Sequence, residues 1–259
     1  MVRILSETWI LLRGLMREQR HWGTFPATLA AALPGANIVT PDLPGNGQRH
    51  RLDSATRVAG MVEFCRQDLL ARGLAPPYRL LALSLGGMVA VEWASLYPHE
   101  IASCVLINTS MRPYSPFYRR LRWQNYPALL RQLLFGNHAG QEALILRLTS
   151  RRHGAGHPAL AAQWLQYQRQ YPVSRRNVLR QLLSAARFRA PAVKPAVPML
   201  ILAGAQDRLV DPGCSRSLAH AWQSEFRLHD EAGHDLPLDQ PEWVAHTVAH
   251  WLRAADRQS

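Results

Sequence analysis

The stretch around Ser84 constrains this chain more than any other part of its sequence. An apolar run, 80–83, leads into the serine, and a second apolar stretch follows it through Trp93. Two small residues, Ala82 and Gly86, lie two positions before and two positions after it. This pattern is typical of a strand, a sharp strained turn and a helix, which together hold a serine hydroxyl clear of the backbone. A serine that caps a helix after a buried strand is the alternative interpretation.

A nucleophilic serine needs a base within hydrogen-bond reach and an acid that orients the base. Two later loops supply these groups. The strand-like run 198–204 is followed by Asp207, and the run 225–229 is followed by His234. Because the carboxyl ends of parallel strands share one edge of a sheet, we expect Ser84, Asp207 and His234 to converge there.

Other residues compete for these roles. Asp211 is the rival acid, but it precedes Pro212 and resembles the start of a helix, where its carboxylate would act as a cap. Asp235 adjoins His234 and is expected to point elsewhere. Of the eleven histidines, His234 alone follows a glycine in the loop after the last predicted strand. We therefore favour Asp207 and His234.

Four motifs in order make the chain similar to the α/β-hydrolase superfamily, over about residues 8–252. The serine motif of that family is G-x-S-x-G, and here Ala82 replaces its first glycine. The other matching segments are Trp9–Leu15, Asn37–Gly47 and Gly233–Pro241. The resemblance implies a serine hydrolase of the carboxylesterase-like or pimeloyl-carrier-protein methyl esterase-like branch. Its catalytic residues would be Ser84, Asp207 and His234, with no metal or organic cofactor.

The same resemblance implies an oxyanion hole built from the backbone N–H groups of Leu15 and Leu85. Each such donor stabilises the developing oxyanion by about 3 kcal/mol. Arg13 replaces the histidine that usually precedes Gly14 in this family. Its role is left open, and pairing with Glu18 or with another nearby acid is one interpretation.

The predicted fold class is α/β. We predict about six strands, near residues 8–12, 37–41, 79–83, 103–107, 198–203 and 225–229, with helical patterns between them. This alternation indicates a mostly parallel sheet flanked by helices. Since the first strand begins near Thr8, the hairpin that often opens the fold is expected to be missing.

About ninety residues separate Ile107 from Pro198, which is too many for one crossover connection. We predict an α/β core from residues 1–110 and 191–259, and an inserted helical cap from residues 111–190, called the cap segment below. The predicted substrate pocket contains Arg13, Gly14, Trp123, Tyr126 and Trp164. Five other aromatic residues of the cap segment are also candidates for the pocket, although most of them are expected to pack between the cap helices and onto the core, namely Tyr114, Phe117, Tyr118, Tyr167 and Tyr171.

The positive charge is concentrated in the cap segment. The whole chain carries a formal charge of +12. The cap segment holds fourteen arginines and one acid, Glu142, whereas the rest has 16 basic and 17 acidic residues. A bias toward arginine explains why lysine is scarce but not why acids are scarce here. A basic lid speeds encounter with acidic partners.

Three kinds of acidic partner fit this charge. The first is a small ester or thioester substrate that bears a carboxylate or phosphate. The second is an acidic acyl carrier protein, as the resemblance to the pimeloyl-carrier methyl esterase branch implies. The third is an anionic membrane surface or a nucleic acid. Nucleic acid is the least favoured, because no recognition motif accompanies the basic residues.

No apolar run reaches the roughly 18 residues of a membrane span, and residues 2–15 do not resemble a secretion signal. Cys65, Cys104 and Cys214 are odd in number and lack metal-ligand spacing, so a reducing, cytoplasmic location is expected. Three alternatives to an esterase stay open: a C–C bond hydrolase or a haloperoxidase that uses the same triad, and a non-catalytic binding protein on the same scaffold.

Overall fold

The computed structural model describes residues 7–153 and 157–255. Residues 1–6 and 256–259 of the predicted core, and 154–156 of the cap segment, lie outside the described residues. The strands are β1 (Thr8–Leu12), β2 (Asn37–Val39), β3 (Tyr78–Leu83), β4 (Ile101–Ile107), β5 (Met199–Gly204) and β6 (Glu225–His229). The helices are α1 (Phe25–Ala32), α2 (Val58–Ala71), α3 (Leu85–Leu96), α4 (Phe117–Arg120), α5 (Tyr126–Phe135), α6 (His138–Thr149), α7 (Pro158–Gln170), α8 (Arg175–Arg187), α9 (Gly213–Ala221), α10 (Leu236–Asp239) and α11 (Pro241–Ala255).

The six strands form one sheet in the order β2-β1-β3-β4-β5-β6, and every neighbouring pair is parallel. The predicted fold class and the six-stranded sheet are therefore confirmed. β2 ends two residues earlier than predicted, two positions before Pro41, which has no N–H to donate to a neighbouring strand. β4 begins two residues earlier than predicted, because Ile101 pairs with Tyr78 of β3.

Alternate residues of each central strand face opposite layers of helices, as the two-residue repeat of a strand requires. In β1, Trp9 and Leu11 belong to the apolar cluster that includes α1 and α11. Ile10 and Leu12 belong to the cluster that includes α2, α3 and α9. Both faces of the sheet are covered, which explains why the central strands have nearly continuous apolar sequences.

Helices α4 to α8 all lie between β4 and β5 in the chain, within the cap segment. Polar side chains attach α8 to the loops of the core. Asn177 Oδ1 accepts a hydrogen bond from Ser54 N at 2.9 Å, and Gln181 Oε1 accepts one from Met16 N at 2.9 Å. The leucines of α8, by contrast, are exposed. Among the described residues, no helix has the length and apolar character needed to cross a membrane.

Candidate active site

Ser84 occupies a strained turn between β3 and α3. Its φ of 57° and ψ of −114° lie in a region that L-residues rarely adopt, at a cost of about 1–3 kcal/mol. Hydrogen bonds on both sides hold the turn: Ser84 N donates to Ile107 O at 2.9 Å, and Thr109 Oγ1 donates to Ser84 O at 2.9 Å. Strain maintained in this way is typical of a functional position.

Close contact with β1 explains the small residues of the turn. A Cβ atom on Gly86 would lie 2.3 Å from the carbonyl oxygen of Leu12, so only glycine fits there. Ala82, which replaces the first glycine of the motif, is fully buried and pairs with Leu12 in the sheet. Its single methyl group is accommodated at that point.

His234 and Asp207 are joined by a short hydrogen bond. Nδ1 of His234 lies 2.6 Å from Oδ2 of Asp207, and both side chains are buried. The other carboxylate oxygen of Asp207 accepts hydrogen bonds from the N–H groups of Leu209 at 2.8 Å and Val210 at 2.9 Å. The carboxylate is therefore fixed in place and orients the imidazole through Nδ1, and this contact leaves Nε2 of His234 open.

Ser84 and His234 line the same cavity. In the described part of the chain, no hydrogen bond joins the Ser84 hydroxyl to His234. Such contacts are often long in the absence of substrate and tighten when it binds. The structure thus brings all three predicted catalytic residues to one edge of the sheet, with the histidine–acid contact formed.

Asn108 holds the histidine loop, a role that the sequence did not reveal. Its Nδ2 group donates to Gly233 O at 3.1 Å and to His234 O at 2.7 Å, and its Oδ1 accepts from Gly204 N at 3.0 Å. Asn108 therefore connects the end of β4 to the loops that follow β5 and β6. The available sequence signal was a polar amide directly after a buried strand.

Arg13 forms a buried ion pair with Asp235. The guanidinium donates two hydrogen bonds, from Nη1 to Oδ1 at 3.1 Å and from Nη2 to Oδ2 at 2.6 Å, and it lies over the ring of Trp22 at 4.7 Å. Of the two partners considered from the sequence, Glu18 pairs with Arg20 instead. The arginine that replaces the usual histidine thus links the turn after β1 to the residue adjacent to His234.

The rival acid Asp211 has a structural contact. Its Oδ1 accepts a hydrogen bond from Gly213 N at 2.8 Å, at the start of α9, and its carboxylate pairs with Arg119. The start of the cap segment also contacts the acid loop. Arg122 donates from Nη1 to Asp207 O at 2.7 Å, and Asn125 donates from Nδ2 to Arg208 O at 2.7 Å.

The predicted oxyanion donors lie beside the serine. Leu85 is the first residue of α3, so its N–H has no acceptor within the helix. Leu15 follows Gly14, where an added Cβ would lie 3.2 Å from Ser84 Cβ and 3.7 Å from Ser84 Oγ. Both residues line the cavity. The oxyanion hole itself stays a prediction.

The cavity has a volume of about 1060 Å³ and extends from the serine into the cap segment. Its walls are mainly aliphatic, with residues from α5, α6 and α8. Of the five predicted pocket residues, Arg13, Gly14 and Tyr126 line it. Trp123 is instead 60% exposed, and Trp164 is buried beneath Arg17. Of the other aromatic residues considered, Phe117 lines the cavity.

The one acid of the cap segment is buried against the core. Glu142 Oε2 accepts a hydrogen bond from Arg17 Nη1 at 2.6 Å, and the same guanidinium group donates to Nε2 of His21 at 2.9 Å. Because an arginine can only donate, Nε2 must accept, and His21 is neutral. Burial, together with the charge of Arg17, holds the pKa of His21 well below its usual value.

Within residues 7–153 and 157–255, no group of three or more histidine, cysteine, aspartate or glutamate side chains is arranged to bind a metal ion. The three cysteines are free thiols, and each is buried.

Comparison with known proteins gives the family. The family model described as "alpha/beta hydrolase fold" matches residues 17–241. Over 93 residues, or 34% of each chain, the sequence is 34% identical to pimeloyl-[acyl-carrier protein] methyl ester esterase of Aromatoleum aromaticum, so this match spans about a third of the relative's length. It is 24% identical to monoacylglycerol lipase ABHD6 of Mus musculus, over 94% of this chain and 74% of the relative. The enol-lactonase of Burkholderia xenovorans LB400 superimposes with a TM-score of 0.77 at 19% identity, covering 96% of this chain and 92% of that one. The chain belongs to the α/β-hydrolase fold family.

Proposed function

We propose that the chain is a serine hydrolase that cleaves a carboxylic ester or thioester through an acyl-enzyme intermediate. Membership of the family supports a hydrolase. The observation that carries the proposal is the 2.6 Å contact between His234 and the buried Asp207, in the cavity that also contains the strained Ser84.

In the proposed reaction, His234 Nε2 takes the proton of Ser84 as Oγ attacks the carbonyl carbon. The N–H groups of Leu15 and Leu85 stabilise the oxyanion. His234 then gives the proton to the leaving alcohol or thiol, and the bond to the leaving group breaks. His234 deprotonates a water molecule that attacks the acyl carbon, and it returns the proton to Ser84 Oγ as the bond between Oγ and the acyl carbon breaks and the carboxylic acid leaves. Asp207 stays ionised and stabilises the imidazolium in both steps.

The acyl group is proposed to be long or bulky and apolar. The cavity is larger than most ligand pockets, and its walls are mainly apolar, with many leucine, isoleucine and valine side chains contributed by the cap segment. In this proposal residues 111–190 act as a cap that encloses the acyl chain. Each methylene that enters such a wall gains about 0.8 kcal/mol, or roughly fourfold in binding.

A panel of p-nitrophenyl esters of increasing acyl length tests the substrate. We expect kcat/KM to rise with chain length from the acetate upward, by up to about fourfold for each methylene. The acetate as the best substrate of the series would contradict an apolar acyl group.

Two matched substitutions test the catalytic residues. Asp207→Asn is expected to lower kcat by about 10⁴-fold, since it changes the tautomer of His234. Asp211→Asn, at the rival acid, is expected to keep most of the activity. Ser84→Ala is expected to abolish hydrolysis and labelling by a fluorophosphonate probe while the fold is retained. Folded wild-type protein that is not labelled would instead favour a non-catalytic binding protein, and hydrolysis by Ser84→Ala would remove Ser84 from the mechanism.

A carrier-linked acyl ester is the second candidate substrate. It is supported by the relative from Aromatoleum aromaticum and by the positive charge of the cap segment. We expect a carrier-linked ester to react faster than the free methyl ester at low salt, with a difference that decreases as salt increases.

The three buried free thiols support a reducing, cytoplasmic location.

A further inference from the structure

The cap segment exposes apolar side chains around the cavity mouth. Phe117, Tyr126, Leu130 and Leu182 line the cavity and are also among the exposed large apolar residues, so they mark its opening. Five further apolar residues, in α5 and α8 or just before α5, are also exposed, namely Trp123, Leu134, Phe135, Leu179 and Leu183. We call these nine residues the apolar rim.

Helix α5 is mostly apolar, but the described structure leaves it without a fully buried face. Arg131 and Gln132 are its only charged or amide side chains, yet none of its residues is buried. A helix that is apolar on every side is normally buried in a protein core or in lipid. One side of α5, which includes Leu129 and Leu133, faces the cavity. Leu130, at the mouth of the cavity, and Leu134, which does not line it, are both more than half exposed.

Helix α8 has the reverse of the usual arrangement. Its buried residues are mainly polar, with Asn177 and Gln181 bonded to core loops. Leu179, Leu182 and Leu183 are exposed instead. Both α5 and α8 contribute to the cavity, and both expose several leucines. Most proteins instead expose apolar residues singly and scattered over the surface.

The charge around the rim is positive. Arg120 and Arg175 line the cavity, and Arg131 is exposed on α5 between the rim leucines. The only acid of the cap segment, Glu142, is buried against Arg17, so the cap segment itself adds no exposed acid to this surface. Leucine and aromatic side chains beside arginines form the kind of surface that enters the boundary of an anionic bilayer.

We propose that the apolar rim docks the protein on an anionic lipid surface, from which an amphiphilic ester enters the cavity. This inference rests on the proposed function. Arginines alone are enough to attract an acidic carrier protein, whereas an exposed apolar surface is explained by insertion between lipid headgroups. The mouth of the cavity would then face the bilayer, and the acyl chain would pass from lipid to cavity without crossing water.

Flotation with lipid vesicles tests the proposal on the full chain carrying Ser84→Ala, so that binding is measured without hydrolysis. We expect binding to vesicles of phosphatidylcholine mixed with phosphatidylglycerol, weaker binding to phosphatidylcholine alone, and a decrease at high salt. The additional changes Leu134→Ser and Leu179→Ser are expected to weaken binding to the mixed vesicles by at least about tenfold relative to the Ser84→Ala parent. These leucines are 52% and 54% exposed.

The matched control is Leu70→Ser/Leu96→Ser. These two leucines lie outside the cap segment and are exposed to a similar extent, 57% and 49%. This control is expected to bind as the parent does. With Ser84 restored, both double variants are expected to hydrolyse p-nitrophenyl acetate at the wild-type rate, which shows that they fold. A wild-type protein that binds vesicles but does not hydrolyse this ester would refute the proposed function and leave the docking intact.

Two results with vesicles would overturn the docking proposal: no binding to anionic vesicles, or equal binding by the two double variants. A third is that the protein binds an acidic acyl carrier protein, and that Leu134→Ser/Leu179→Ser weakens this binding but not binding to vesicles. The last result would assign the rim to a protein partner.

Discussion

Breaking the buried pair of Arg13 and Asp235 is expected to destabilise the protein strongly. Asp235→Asn removes the charge but keeps the shape, and it leaves a guanidinium buried with its counter-charge gone. Both side chains are less than 5% exposed. Loss of one partner of such a pair costs about 3–5 kcal/mol. Asparagine keeps one acceptor oxygen, so the change removes one of the two charge-assisted hydrogen bonds, worth about 1.5–3 kcal/mol, and also the charge that offsets the guanidinium.

Urea unfolding followed by circular dichroism measures this free energy. Asp53→Asn is the matched control, because it removes the partner of Arg176 in an ion pair whose side chains are 70% and 52% exposed. That change is expected to cost less than about 1 kcal/mol. The double variant Arg13→Met/Asp235→Leu is expected to be more stable than Asp235→Asn, since no unpaired charge stays buried.

Activity provides a second measurement. Asp235 adjoins His234, and Arg13 adjoins Gly14 of the oxyanion turn, so the pair holds two parts of the proposed site in register. We expect folded Asp235→Asn protein to have a lower kcat on a soluble ester. A free energy of unfolding within 1 kcal/mol of the wild type, with kcat unchanged, would refute the importance of this pair.

Three further predictions concern buried groups. The free energy of unfolding is expected to fall as the pH drops below about 6.5, because His21 binds a proton in the unfolded chain but stays neutral in the folded one. His21→Asn should make this fall with pH less steep, whereas the control His250→Gln, at an exposed histidine, should not. An unchanged pH dependence in His21→Asn would contradict a neutral, buried His21. Gly86→Ala is expected to cost about 1–3 kcal/mol in urea unfolding because its Cβ would meet the Leu12 carbonyl. Burial raises the pKa of Cys65 to about 12 and that of Cys214 to about 11, so both thiols are expected to react with a thiol reagent only after unfolding, and rapid labelling of the native protein would contradict this.

Features that depend on local pattern could be predicted from the sequence. The apolar runs of the strands, the small residues beside Ser84 and the loops with Asp207 and His234 each occupy a few consecutive positions. A parallel sheet then places the ends of those strands at one edge, whatever their separation along the chain. The sheet and the proximity of the predicted catalytic residues followed from these two facts.

Contacts between distant residues could not be predicted in the same way. Arg13 and Asp235 are 222 positions apart, and nothing near either residue identifies the other as its partner. Trp164 was assigned to the pocket by residue type, but the direction in which α7 turns its side chains decides its burial. The exposed leucines of α8 were missed because a helical repeat shows which residues share a face, not which face is turned inward.

The hydrogen bonds from Arg122 and Asn125 to the carbonyls of residues 207 and 208 bear on how this enzyme can be re-engineered. Replacing the whole cap segment by that of another hydrolase, in order to change specificity, would remove these two hydrogen bonds to the loop that carries Asp207, together with part of the cavity wall. A chimera that keeps residues 119–125 from this chain is therefore the better starting point. Residues 119–125 join the wall of the cavity to the loop that carries Asp207.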